Sequence, residues 1–243
     1  MKKLAAGLTG LGVLLLAQVA LAAIVVKTDP SGNPASCGEN QGGNTLNIGT
    51  PNAAVAVGDV LILVLSGVGA NGSKNILTSI SAQSGVSAWT SALAISSVYD
   101  PNGGGRSYVS IAKVTTAFSN GVGVTVTTSP ANNFLGACMM DVGGLNGVID
   151  QQAGVESSLG AAPSNVTPTV YNSIANELAL AVSSCQNTLN LTTPINPPWT
   201  SIGVNGVGGC PAGFLITSSA AARAAVLNQS APGSSAVGTV LIK

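Results

Sequence analysis

Asp59-Val60-Leu61-Ile62-Leu63-Val64-Leu65-Ser66-Gly67 is the stretch whose reading decides the fold. Six Val, Ile and Leu residues run without a break and end at Ser66-Gly67. A run this short, bounded by turn residues, reads as a strand buried on both faces; a helix would need about ten or more residues. Most of the chain downstream reads as strands able to pack around it.

Glu177-Leu-Ala-Leu-Ala-Val-Ser-Ser-Cys185 is a second buried strand. Val122–Thr128 alternates, with Val122, Val124 and Val126 inward, and Asn120-Gly121 before it reads as a tight turn. In Phe134–Val142, Phe134, Cys138, Met140 and Val142 share one face, and Leu135, Ala137, Met139 and Asp141 the other. Further strands are read at Ile24–Thr28, Thr45–Ile48, Ile76–Ser81, Trp89–Ile95, Tyr108–Thr116, Val166–Tyr171, Trp199–Val204, Phe214–Thr217 and Ala236–Lys243. Ser219–Leu227 suits helix or strand, and residues 143–165 read as a long loop. About ten to twelve strands spaced by turns predict an all-β fold, a two-sheet antiparallel β-sandwich of jelly-roll type. No exact repeat is visible. The division expected is 1–22 as signal peptide, 23–52 as an N-terminal strand and polar loop, and 53–243 as one β-sandwich domain.

The N-terminus carries the export pattern: Lys2-Lys3, an apolar run from Leu4 to Val19, then Ala20-Leu21-Ala22 for cleavage. The apolar core is short for a span, so no membrane span is expected after cleavage. The expected location is extracellular or at the cell surface, with the periplasm as the other exported setting. Two of the eight basic residues lie in the signal, so the remainder is slightly acidic. With 7% charged residues no basic stripe for nucleic acid can form. A mean hydropathy of +0.48 with abundant small residues suits a surface that packs against copies of itself or lies on a cell. Four cysteines in an exported chain predict two disulfides, read as Cys37–Cys138 and Cys185–Cys210.

Val57-Gly58-Asp59-Val60-Leu61, the hairpin stretch Thr78–Thr90 with Trp89, the turn Asp141-Val-Gly-Gly-Leu-Asn-Gly-Val-Ile-Asp150 and the closing Val237–Lys243 together resemble secreted bacterial jelly-roll-like β-sandwich domains, mostly of uncharacterised function. The resemblance implies that fold and a secreted setting, and no activity. The chain departs from the pattern around Ala82–Ser87, where the usual acidic residue and Asn are missing.

No histidine occurs anywhere, which removes Ser-His-Asp and Cys-His triads and His metal sites. Carboxylates remain. Asp59 and Glu177 sit at strand starts and Asp100 and Asp150 in turns, ordinary places for solvated acids. A calcium site would draw on Asp141, Asn146, Asp150 and Glu156, since calcium needs several converging oxygens. No other cofactor is expected. Sugar stacking would fall to Trp89, Trp199 and Tyr108. The function expected is non-catalytic adhesion or extracellular assembly, with Ile24–Thr28 or the final strand filling a neighbour's sheet in a filament. The alternatives are a carbohydrate-binding module and a carboxylate-based glycan hydrolase or lyase. The partners expected are other copies, a cell surface or a glycan.

Overall fold

The computed structural model describes residues 23–40, 42–52, 54–69, 76–100, 103–129, 134–156, 164–172, 176–185, 192–203, 207, 210–231 and 235–243. Residues 1–22, expected to be a signal peptide, lie outside them.

The first half of the chain supplies β1 (Val25–Val26), β2 (Ser36–Asn40), β3 (Thr45–Gly49), β4 (Val60–Gly69), β5 (Ile76–Ala82), β6 (Thr90–Asp100), β7 (Gly103–Lys113), β8 (Gly123–Ser129) and β9 (Phe134–Gly143). The second supplies β10 (Ile149–Glu156), β11 (Ser164–Val166), β12 (Val170–Asn172), β13 (Glu177–Cys185), β14 (Thr200–Ser201), β15 (Ala212–Thr217), β16 (Ala221–Arg223), β17 (Val226–Asn228) and β18 (Ser235–Ile242). All pairings are antiparallel. One sheet runs β1-β9-β4-β7-β6, with β2 also on β9; another runs β10-β18-β13-β15-β14. A three-stranded sheet, β3-β8-β5, and two ribbons, β11-β17 and β12-β16, complete the described strands.

The all-β expectation holds, but two sheets of ten to twelve strands do not describe it. The two larger sheets face each other across a core holding Ile62, Val64, Ile95, Met140, Leu180, Phe214 and Val240. On its other face the first sheet packs Leu61, Leu63, Leu65, Leu135 and Met139 against Ile48, Val124 and Val126 of the three-stranded sheet. The second sheet packs Ala179, Ala181, Val237 and Leu241 against Val170, Leu227, Ile195 and Trp199. Four layers therefore stack, and both middle sheets are buried on two faces. That is why Val60–Leu65 and Leu178–Val182 are unbroken apolar runs, with no residue in either more than 1% exposed.

The strand order is the same twice. Taking β1, β9, β4, β7 and β6 onto β10, β18, β13, β15 and β14 also keeps the register. Ile62 stands opposite Ile111 and Met140; Leu180 stands opposite Phe214 and Val240. Thr90 and Ser91 face Ile111 and Ser110, and Thr200 and Ser201 face Phe214 and Gly213. Trp89-Thr-Ser and Trp199-Thr-Ser enter the matching edge strands. The two larger sheets thus share one strand order and register, and they pack against each other face to face.

Several local expectations change. Residues 143–165 contain β10, whose polar run Asp150-Gln151-Gln152 lacks the apolar signature of a strand. The polar Ser36–Asn40 is also a strand, held at the edge of β9 where Cys37 stands opposite Cys138 and is bonded to it. Ser219–Leu227 divides into β16 and β17. Both chain ends are used within the molecule: β18 pairs on both sides, and β1 pairs with β9.

Candidate functional site

Two clusters of charge occupy matching places in the halves. Gly58 (φ 93°) and Asn176 (φ 62°) each turn the chain through the left-handed region immediately before a central strand. The next residue in each case is an acid, Asp59 or Glu177. Neither is solvated, as their positions at strand starts suggested: Asp59 is 6% exposed and Glu177 is fully buried.

In the first half the chain continues one residue past β1, with the Lys27 N–H donating to Asp141 O at 2.9 Å. This brings the Lys27 ammonium onto the carboxylate of Asp59, and to 3.2 Å from Asp141 Oδ2. Lys27 Nζ also donates to Ala54 O at 3.3 Å, and Asp59 Oδ2 accepts the Ala56 N–H at 2.6 Å. Asp141 is fully buried, and despite its ion-pair distance to Lys27 neither of its carboxylate oxygens has a hydrogen-bond partner. Burial, reinforced by the charge of Asp59 and opposed by Lys27, pushes the Asp141 carboxyl up to about 6. Burial works against the Lys27 ammonium, but its bonds to Asp59 and Asp141 hold its pKa above the usual lysine value.

In the second half Lys243 follows β18 and contacts Asp150, with its Nζ 3.9 Å from Glu177 Oε1. Asp150 occupies a bulge in β10 rather than a turn. The Lys243 bond holds Asp150 below the usual carboxylate range. Burial, then Asp150, pushes Glu177 up to about 7. Thr217 Oγ1 bonds the backbone N–H and C=O of Glu177, both at 3.0 Å, and leaves its carboxylate oxygens without hydrogen bonds. Lys243 O accepts the N–H groups of Asn146 and Gly147 at 2.8 and 2.9 Å, which fixes the end of β18.

Of the four residues considered for calcium, Asp141 and Asp150 contact different lysines. Asp141 belongs to the Lys27 cluster and Asp150 to the Lys243 cluster. Asn146 Oδ1 accepts the Val148 N–H at 3.0 Å in its own turn. The side chain of Glu156 lies outside the described residues, as does that of Asp100. Among the described residues no three His, Cys, Asp or Glu side chains converge as a metal site. Cys210 is disulfide-bonded; the side chain of Cys185, expected as its partner, is outside the described residues.

The aromatic residues separate. Trp199 is buried against the ribbons, and its indole N–H donates to Ala224 O at 3.2 Å. Its counterpart Trp89 is half-buried and lines an open groove of about 490 Å³ with Leu77, Ser79, Gln83, Ser87 and Ser91. The Trp89 indole nitrogen is buried without a partner. Tyr108 packs on the same core, and its hydroxyl accepts the Leu77 N–H at 3.4 Å.

Sequence reasoning missed both lysines. The signal was present: each is the lone base ending an apolar terminal strand in a chain poor in charge. Compared with known protein families, curated proteins and solved structures, the chain matches none.

Proposed function

We propose that this chain is a non-catalytic, secreted or cell-surface β-sandwich protein that works by adhesion or extracellular assembly, each unit a jelly-roll-type sandwich. One observation carries the reading. Among the described residues β6 pairs only with β7, which leaves the other edge of this 11-residue strand without a described partner. Between bulges at Ser91/Leu93 and Val98/Asp100, residues Leu93–Val98 form a regular stretch with no charge and no proline. Native sheets ordinarily blunt such an edge with lysine, proline or bulges, and an extended strand from another copy adds where none intervenes. The disulfides and the export pattern at the N-terminus support the secreted setting. Because both chain ends pair internally, the β6 edge replaces them as the assembly surface.

Ala94 is exposed on this strand, and a lysine there would place a charge on the edge. Negative-stain microscopy of the purified chain is expected to show filaments or ordered oligomers, and Ala94→Lys only discrete particles. Discrete monomers from both would remove the reading.

The Trp89 groove supports a second reading, a carbohydrate-binding module. The half-buried Trp89 ring beside the side chains of Ser79, Gln83, Ser87 and Ser91 offers a stacking face with polar neighbours. Titration of soluble oligosaccharides is expected to quench Trp89 fluorescence, and Trp89→Ala to weaken binding at least tenfold, on the order of 1.4 kcal/mol. Equal binding by both proteins would exclude the groove.

A further inference from the structure

We propose that Lys27 and Lys243 are each joined to the aspartate they touch, Asp59 and Asp150, by an intramolecular isopeptide bond, with the buried Asp141 and Glu177 carrying the proton. The inference stands apart from the assembly reading and rests on the two clusters alone.

Both clusters contain the same three parts. A lysine sits on an aspartate, and a second carboxyl group, fully buried, stands beside the lysine nitrogen. The parts come from three adjacent strands or their immediate ends. Lys27, Asp141 and Asp59 lie along β1-β9-β4, and Asp150, Lys243 and Glu177 along β10-β18-β13. The lysine stands at the end of the edge strand β1 in the first cluster and at the end of the inner strand β18 in the second.

An ion pair alone explains these sites poorly. Burying carboxylates is costly unless hydrogen bonds satisfy them, and all four oxygens of Asp141 and Glu177 lack such partners. Amide formation removes two charges from each cluster. It also leaves an N–H on the lysine nitrogen, which already stands 3.2 Å from Asp141 Oδ2 in one cluster and 3.9 Å from Glu177 Oε1 in the other.

The step balances without a co-reactant. The lysine ammonium passes a proton to the buried carboxylate, and the aspartate takes up a proton within the cluster. The neutral amine attacks the aspartate Cγ, a C–N bond forms, and a C–O bond breaks. The hydroxyl leaves with the relayed proton as water, and the buried acid returns to its starting state. One ammonium and one carboxylate become one amide and one water. Holding amine and carboxyl in contact is worth effective concentrations on the order of 10⁵ M or more, enough for a slow single turnover in a site shielded from water. The raised pKa values of Asp141 and Glu177 suit groups that hold a proton near neutral pH.

The test is the mass of the purified chain, reduced and denatured, with its N-terminus sequenced. The expected mass is lower than that of the linear chain by two waters. Digestion should yield linked peptides joining Lys27 to Asp59 and Lys243 to Asp150. Lys27→Arg and Lys243→Arg should each restore one water. Asp141→Asn and Glu177→Gln, which keep the reacting pairs, should do the same at their own sites. A wild-type mass equal to the linear chain overturns the proposal, whatever the variants do. A mass deficit that persists in both arginine variants also overturns it.

Discussion

Raising the pH from 5 to 8 is expected to lower the urea midpoint of this protein, by an amount corresponding to several kcal/mol. Asp141 and Glu177 bind protons more tightly folded than unfolded, with carboxyl groups at about 6 and about 7 against ordinary values of 3.8 and 4.5. Each contributes stability that is fully present below its unfolded value and lost as the pH rises through its folded value. A displacement of this size is worth about 3 kcal/mol for each group over the whole window. Asp29 and Asp150 act in the opposite sense, because their folded values are lowered, but their contribution is lost only on the acid side of the ordinary carboxylate range. The raised values of Lys27 and Lys243 keep both charged throughout, so they add no slope between pH 5 and 8. Conversion of Lys27 and Lys243 to amides would withdraw the cations that oppose the shifts and leave the direction unchanged. Midpoints that are flat or rise from pH 5 to 8 would show that Asp141 and Glu177 are not held as described.

Replacing Cys37 and Cys138 together by alanine is expected to cost about 3–4 kcal/mol. The bond joins residues 101 apart in sequence, so its removal releases a long closed loop in the unfolded chain. In the folded chain it fastens β2 to the edge of β9. That strand has the sequence Ser-Cys-Gly-Glu-Asn and buries little apolar surface of its own. Urea titration of the double variant beside the parent measures the loss. A difference under about 1 kcal/mol would mean that the unfolded chain is already compact around this loop. The same variant should expose the β2 segment to proteolysis before the rest of the domain, since only backbone pairing would then hold it.

The apolar code of this protein could be read directly. Val60–Leu65 and Leu178–Val182 announce strands covered on two faces, because no other short element tolerates such runs. The alternation at Phe134–Val142 divides correctly between two cores: Cys138, Met140 and Val142 fall in one, Leu135, Ala137 and Met139 in the other. Pairing information was harder to see. Strands β2 and β10 are polar, and what makes them strands is the neighbour each lies against, not their own residues. The match between the two larger sheets was hidden for a related reason. Matching positions keep register but not residue identity, as with Ile62 and Leu180 or Ser110 and Gly213, and Trp-Thr-Ser is too short to stand out.

The sequence by itself determined an all-β chain, its buried central strands and the absence of histidine. Tertiary structure alone decided that two large sheets of matching strand order face each other. It also decided which lysine meets which acids, because Lys27 and Asp141, or Asp150 and Lys243, are brought together by strand order across long separations. Burial of a charge depends on what covers it. Asp59 and Glu177 look solvated at the start of a strand in the sequence, and the fold buries both.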